Sequence, residues 1–246
     1  MILTRLIITT LSLFVFGGLL IHLSHCLSNA DAGRKKNDWL KYLSYLFIIY
    51  FILLIAFLGK IYLGILLVIV ALTGALELRH NLKQYGRISS YITIFSFIIL
   101  LFCLGHLLLN YAPGWFSGFA FVFLAVGITD SFSQLWGKLL GKRPLCPRVS
   151  PNKTWEGFWG GFISTLTAVL VFAFLLPEVT ILQLLIMGCI ITSASISGDL
   201  IFSWIKRKLA IKDFSSVIPG HGGVLDRFDS LVVTAPVFYW ATVLIL

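Results

Sequence analysis

Tyr42-Leu-Ser-Tyr-Leu-Phe-Ile-Ile-Tyr-Phe-Ile-Leu-Leu-Ile-Ala-Phe-Leu58, then Gly59-Lys60, then Ile61-Tyr-Leu-Gly-Ile-Leu-Leu-Val-Ile-Val-Ala-Leu-Thr-Gly-Ala-Leu-Glu-Leu78 read as two apolar runs hinged at a glycine and a lysine. Each approaches the roughly 20 apolar residues that a helix needs to cross a bilayer's hydrocarbon core. Outward from this hairpin, runs of the same kind recur at 3–23, 91–110, 115–129, 158–176, 181–200 and 230–246. Breaker residues mark tight turns at Tyr111-Ala-Pro-Gly114 and Pro177-Glu178. The reading is an all-α integral membrane protein of about eight transmembrane helices. Composition agrees, with 59% hydrophobic and only 12% charged residues, against about 25% charged in an ordinary globular domain. The first run has only Arg5 ahead of it and no small-residue cleavage motif, so it is expected to be a retained helix.

The charges assign sides. Four segments between runs carry the basic residues: Arg34, Lys35, Lys36 and Lys41 in 24–41; Arg79, Lys83 and Arg87 in 79–90; Lys138, Lys142, Arg143, Arg148 and Lys153 in 130–157; and Lys206, Arg207, Lys208, Lys212 and Arg227 in 201–229. Eight alternating spans put all four on one face and leave only Arg5 and Lys60 on the other. By the positive-inside bias that face is cytoplasmic, with both termini outside. Every carboxylate except Glu178 falls on it too. A net charge of +9 distributed in this way suits an anionic leaflet rather than nucleic acid. Cys26, Cys103, Cys146 and Cys189 stand apart, without the spacing of a zinc site or a disulfide framework.

Two of these segments hold polar chemistry out of proportion to the rest. In the second, Asp226 and Asp229 are three apart and would share one face of a helix starting near Leu225. The preceding Pro219-Gly-His-Gly-Gly223 is a glycine-rich turn opening into that helix, a place where free backbone N–H groups can receive phosphate oxygens. Carboxylates beside a phosphate site call for a cation, and hard oxygen ligands suggest Mg²⁺. Asp199 lies at the end of an apolar run, with Ser203 and Lys206 on the same side at i+4 and i+7 of a continuing helix; an ionisable group at that depth usually serves a pathway or a site. Taken singly, these residues also have plain readings. Lys206-Arg207-Lys208 could be a juxtamembrane basic cluster, Lys153 and Glu156 a surface ion pair, and His221 a turn filler.

The stretch Ser203-x-Ile-Lys-Arg-x4-Lys212-Asp213-x-Ser-x2-Ile218-Pro-x-His221-Gly-Gly-Val-x-Asp226-Arg227-Phe-Asp229 resembles, over its whole length, the signature of the phosphatidate cytidylyltransferases, or CDP-diacylglycerol synthases. Ser150-Pro-Asn-Lys153-Thr154-x-Glu156-Gly157 is similar to the element that precedes a membrane helix in that family, with Asn152 at a usually basic position. Asp130 and Gly137-Lys-x-x-Gly141 resemble an upstream element, although Ser131-Phe132-Ser133-Gln134 departs from the family's small and aromatic residues. The resemblance runs from about 120 to 246. It divides the chain into N-terminal transmembrane helices (1–115) and a C-terminal transmembrane catalytic region (116–246).

What the resemblance implies is transfer of CMP from CTP to phosphatidate at the cytoplasmic face of the cell membrane, giving CDP-diacylglycerol and pyrophosphate for phospholipid synthesis. It implies Mg²⁺ held by Asp199 and Asp226 with Asp229 and Asp130 in support, a second cation being left open. Lys206, Arg207, Lys212 and Arg227 would hold phosphates; His221, Gly222 and Gly223 would lie along the triphosphate; Lys153, Glu156 and Ser203 would complete the site. A homodimer is left open. The rival readings are a paralogue that is inactive or acts on another lipid phosphate, and a transporter. A transporter predicts midspan charges and repeated halves, which this sequence lacks.

Overall fold

The computed structural model describes residues 2–27, 31–82, 87–109, 115–218 and 222–245. The turn read at Tyr111–Gly114, Lys83 and His221 lie outside them. Eight α-helices follow in order: α1 (Ile2–Leu27), α2 (Ala32–Leu58), α3 (Lys60–Asn81), α4 (Arg87–Gly105), α5 (Trp115–Leu140), α6 (Trp155–Val171), α7 (Ile181–Lys208) and α8 (Leu225–Ile245). Each coincides with one expected apolar run. Six are long and apolar enough to cross a membrane. The other two, α4 and α6, are shorter; the 17 residues of α6 rise about 25 Å and are followed by a 3-10 turn at Ala173–Leu175. The protein is a multi-pass all-α membrane protein.

Large apolar side chains stay exposed around the bundle, among them Ile8, Val15, Phe47, Ile61, Phe95 and Ile163. In water such a belt would drive association; in lipid it is the expected surface. The interior is built by α5, α7 and α8, whose Phe119, Phe121, Met187, Ile191, Leu231 and Phe238 are buried. Small residues let the helices close. A Cβ on Gly157 of α6 would lie 2.7 Å from the Ser133 carbonyl oxygen of α5, the close backbone approach that glycine permits between membrane helices. Between the same helices the Thr129 and Thr165 hydroxyls meet at 2.7 Å.

Three features depart from the sequence reading. First, α5 outruns its apolar run and carries polar residues through Leu140, so Asp130 sits on a helix rather than in a loop, while α7 continues through Lys208 as the placing of Asp199, Ser203 and Lys206 expected. Second, a short antiparallel hairpin, β1 (Pro144–Cys146) with β2 (Ser150–Thr154), fills the next connection. Its Thr154 caps α6, accepting the Gly157 N–H at 3.1 Å. Third, the capping box of Thr180 and Gln183 starts α7, and the Gln183 amide also donates to the Ile245 carbonyl at 3.0 Å, fastening the far end of α8.

Candidate active site

The end of α1, the start of α2, the end of α5, the hairpin, the end of α7 and the start of α8 surround one cavity of about 1100 Å³. Its lining includes apolar side chains, among them Leu13, Phe14, Ile21, Ile49, Leu124 and Ile128. It also includes Asp130, Lys153, Asp199, Lys206, Lys212, Asp213, Asp226, Arg227 and Asp229, with Gly222. Residues from 130 to 230 in sequence are thus gathered by one end of the bundle.

The helix spacings read from sequence hold. Ser203 donates to Asp199 Oδ1 at 3.3 Å across one turn of α7. Lys206 follows on that side, and its ammonium donates to Asp226 Oδ1 at 2.8 Å and stands 3.8 Å from Asp229 Oδ2. Lys153, from β2, forms an ion pair with Asp199 Oδ2. Asp130 Oδ1 accepts from Ser195 at 2.9 Å and from Ser230 at 3.2 Å, which joins α5, α7 and α8 through one carboxylate. Gly198 makes that junction tight: a Cβ there would lie 3.0 Å from the Asp229 carbonyl oxygen.

Asp226 is engaged on both oxygens. Besides Lys206, its Oδ2 accepts the backbone N–H groups of Phe214 at 2.8 Å and Gly223 at 2.9 Å. A buried carboxylate with three donors is a hub for its own loop. Among the described residues, the N–H groups from Gly223 to Leu225 are not free. The Gly223 N–H goes to Asp226, and those of Val224 and Leu225 go to Glu77 of α3 at 2.8 and 2.9 Å. At these three positions protein carboxylates, not open space, face the backbone donors. Glycine is needed there for a different reason: Gly222 has φ +84°, and a Cβ on Gly223 would fall 2.6 Å from both Glu77 oxygens.

Two other expected residues face elsewhere. The Arg207 guanidinium donates to the carbonyls of Val149 at 3.1 Å and Ile211 at 3.3 Å, docking the end of α7 on the hairpin. Glu156 accepts from the backbone of Lys142 at 3.0 Å and Arg143 at 3.2 Å. Those N–H donors, the one from Lys142 foremost, hold its carboxyl below the ordinary range. It does not line the cavity. Arg227 does; its Nη1 donates to the Tyr45 hydroxyl of α2 at 2.6 Å, with the guanidinium 5.6 Å from that ring's centre.

No group of three or more His, Cys, Asp or Glu close enough to hold a metal ion occurs among the described residues. The donor chemistry nonetheless suits a hard cation. Asp199 and Asp229 each turn an oxygen toward a lysine ammonium at the cavity wall, and Mg²⁺ typically takes one or two carboxylates, the remainder coming from water and substrate phosphate. Asp226, with its oxygens engaged, fits that role less well than these two.

A profile of the cytidylyltransferase family matches residues 2–245. The chain belongs to that family. Among relatives of this cytidylyltransferase-family protein, the phosphatidate cytidylyltransferase of Aquifex aeolicus is 47% identical over 119 residues, 48% of this chain and 44% of that protein. The uncharacterized protein YnbB of Escherichia coli is 40% identical over 151 residues, 59% of this chain and 51% of that one. The chain thus spans about half the length of these relatives. The phosphatidate cytidylyltransferase of Rickettsia bellii is matched more fully, at 32% identity over 86% of this chain and 93% of its own length.

The sequence reading missed Glu77 and Tyr45 as parts of this region. Glu77 carried a usable signal, an acidic residue inside an otherwise apolar run. Tyr45 carried none; a tyrosine in a span reads as an interfacial or lipid-facing aromatic until its hydroxyl partner is known.

Proposed function

We propose that this protein transfers CMP from CTP to phosphatidate, giving CDP-diacylglycerol and pyrophosphate. The observation that carries the reading is the two-sided chemistry of the cavity lining, apolar side chains from α1, α2 and α5 beside charged ones from α5, the hairpin, α7 and α8. A membrane lipid with a phosphate headgroup needs both sides in one space; a soluble nucleotide alone does not need the first. The basic residues flanking these helix ends support a cavity that opens at the cytoplasmic face of the cell membrane, where CTP is available.

In the reaction a phosphate oxygen of the lipid forms a bond to the α-phosphorus of CTP. The bond from that phosphorus to the oxygen bridging to the β-phosphate breaks, and pyrophosphate leaves with the electron pair. The attacking oxygen is already anionic, so no protein nucleophile or base is required. What the chain must supply is alignment and positive charge. Lys153, Lys206, Lys212 and Arg227 line the space where three phosphates and the lipid phosphate would meet. Asp226 and Asp229 hold the Lys206 ammonium in place, and Tyr45 steadies Arg227. Asp199 and Asp229, with Asp130 beside them, would hold Mg²⁺, which neutralises phosphate charge when bound.

The test is incubation of the purified protein with CTP labelled at the α-phosphate, Mg²⁺ and phosphatidate in mixed micelles. Label is expected in the extracted lipid only when all components are present. Label entering only a different phosphorylated lipid would reassign the acceptor. No labelled lipid with any acceptor would refute CMP transfer.

A further inference from the structure

Glu77 lies in α3, in the half of the chain outside the signature, yet it makes long-range contacts with the loop that bears the signature. Its Oε1 accepts from the Ser215 hydroxyl at 2.6 Å and the Val224 N–H at 2.8 Å; its Oε2 accepts the Leu225 N–H at 2.9 Å. Four residues along α3, the Asn81 amide donates to the Phe214 carbonyl at 2.8 Å. A carboxylate buried in a membrane helix is costly unless donors surround it, and here three do. They include the first N–H of α8, where the helix dipole favours a negative charge.

The partner arrangement on Asp226 explains what this achieves. Asp226 takes the N–H groups of Phe214 and Gly223, and Glu77 takes groups of the residues that follow each, the Ser215 hydroxyl and the Val224 N–H. The two carboxylates pin both ends of the loop between them. Ser215, Ser216 and Gly222 of that loop line the cavity, and α8 begins where it ends, two residues before Arg227. We infer that Glu77 is a positioning residue for the proposed transfer. It sets the height of the loop at the cavity rim and the direction of the first turn of α8, and so aims Arg227 and Asp229 at the substrate. The residues the loop lends to the cavity are mostly charged or hydroxylated, Lys212, Asp213, Ser215 and Ser216, with Ile218 beside them, so the substrate it orients is the nucleotide. This inference rests on the reading of CMP transfer from CTP.

The experiment compares the wild type with Glu77→Gln, Glu77→Asp and Ser215→Ala in detergent, by steady-state transfer and by hydrogen–deuterium exchange. Glu77→Gln sets an NH₂ donor against a backbone donor. It is expected to lower kcat/KM for CTP by about 100-fold, as a misplacement of about 1 Å does. KM for phosphatidate should stay within about twofold. Exchange should rise over residues 213–228 and stay unchanged in the cores of α5 and α7. Glu77→Asp keeps the charge and should recover about tenfold of the loss. Ser215→Ala removes one link and should raise exchange over 213–218 alone, which keeps the idea testable if Glu77→Gln does not fold. A folded Glu77→Gln protein with wild-type kcat/KM and exchange would overturn the inference, as would unchanged exchange in Ser215→Ala. A wild type that transfers nothing would refute the reaction, while the exchange pattern would still decide whether Glu77 anchors the loop.

Discussion

Two sets of acidic side chains sit within one end of the bundle and do different work. Glu77 and Asp226 face inward to the signature loop and are met mainly by N–H groups of the backbone. Asp199 and Asp229 face the cavity and are met by the ammonium groups of Lys153 and Lys206. The first set has its hydrogen-bonding capacity filled by the fold, so its removal should be felt in the anchoring of the loop and in stability, and in activity through them. The second set is balanced by lysine ammonium groups at the cavity, where a cation or a phosphate would compete for them, so its removal should be felt as activity. Carboxylates of the same chemistry are divided by what their neighbours can do.

The largest effect is expected from Asp226→Ala. It strips the buried Lys206 of its nearest partner and leaves two N–H groups unpaired, a loss of about 3 kcal/mol or more. A shift of the denaturation midpoint in detergent, together with loss of transfer, checks it; an unshifted midpoint would merge the two sets. Asp199→Asn comes next. Transfer should fall about 100-fold while the midpoint stays near that of the wild type. A collapse in stability would show that Asp199 belongs with the loop anchors.

Tyr45→Phe sharpens the comparison from the side of α2. Removing the hydroxyl that Arg227 donates to should cost about 1.5 kcal/mol of transition-state alignment, roughly tenfold in kcat/KM, with little change in folding. An unaltered rate would mean that Arg227 needs no support from α2. The smallest effect belongs to Glu156→Gln, because Glu156 holds only the connection from α5 to the hairpin at the exposed surface. Transfer should stay within about twofold, and a large fall would move Glu156 to the cavity wall.

The class of protein, the eight helices and the end of the bundle where the polar residues gather were all determined by the sequence alone. Run length, breaker positions and charge distribution are properties of the chain in one dimension, and the bilayer allows few ways to arrange them. The relation of Asp199, Ser203 and Lys206 was legible for the same reason, since helix periodicity places neighbours locally. Only the tertiary structure decided the partner of each carboxylate. Glu77 meets Leu225 across 148 residues, and no local pattern announces such a pair. The exit of the glycine turn shows the limit most clearly: its sequence suggests backbone N–H groups open to an anion, and at Gly223, Val224 and Leu225 the fold supplies carboxylates from α3 and α8. Burial makes this choice, because each backbone N–H removed from water must find an acceptor, and the nearest acceptor in space is set by helix packing rather than by chain order.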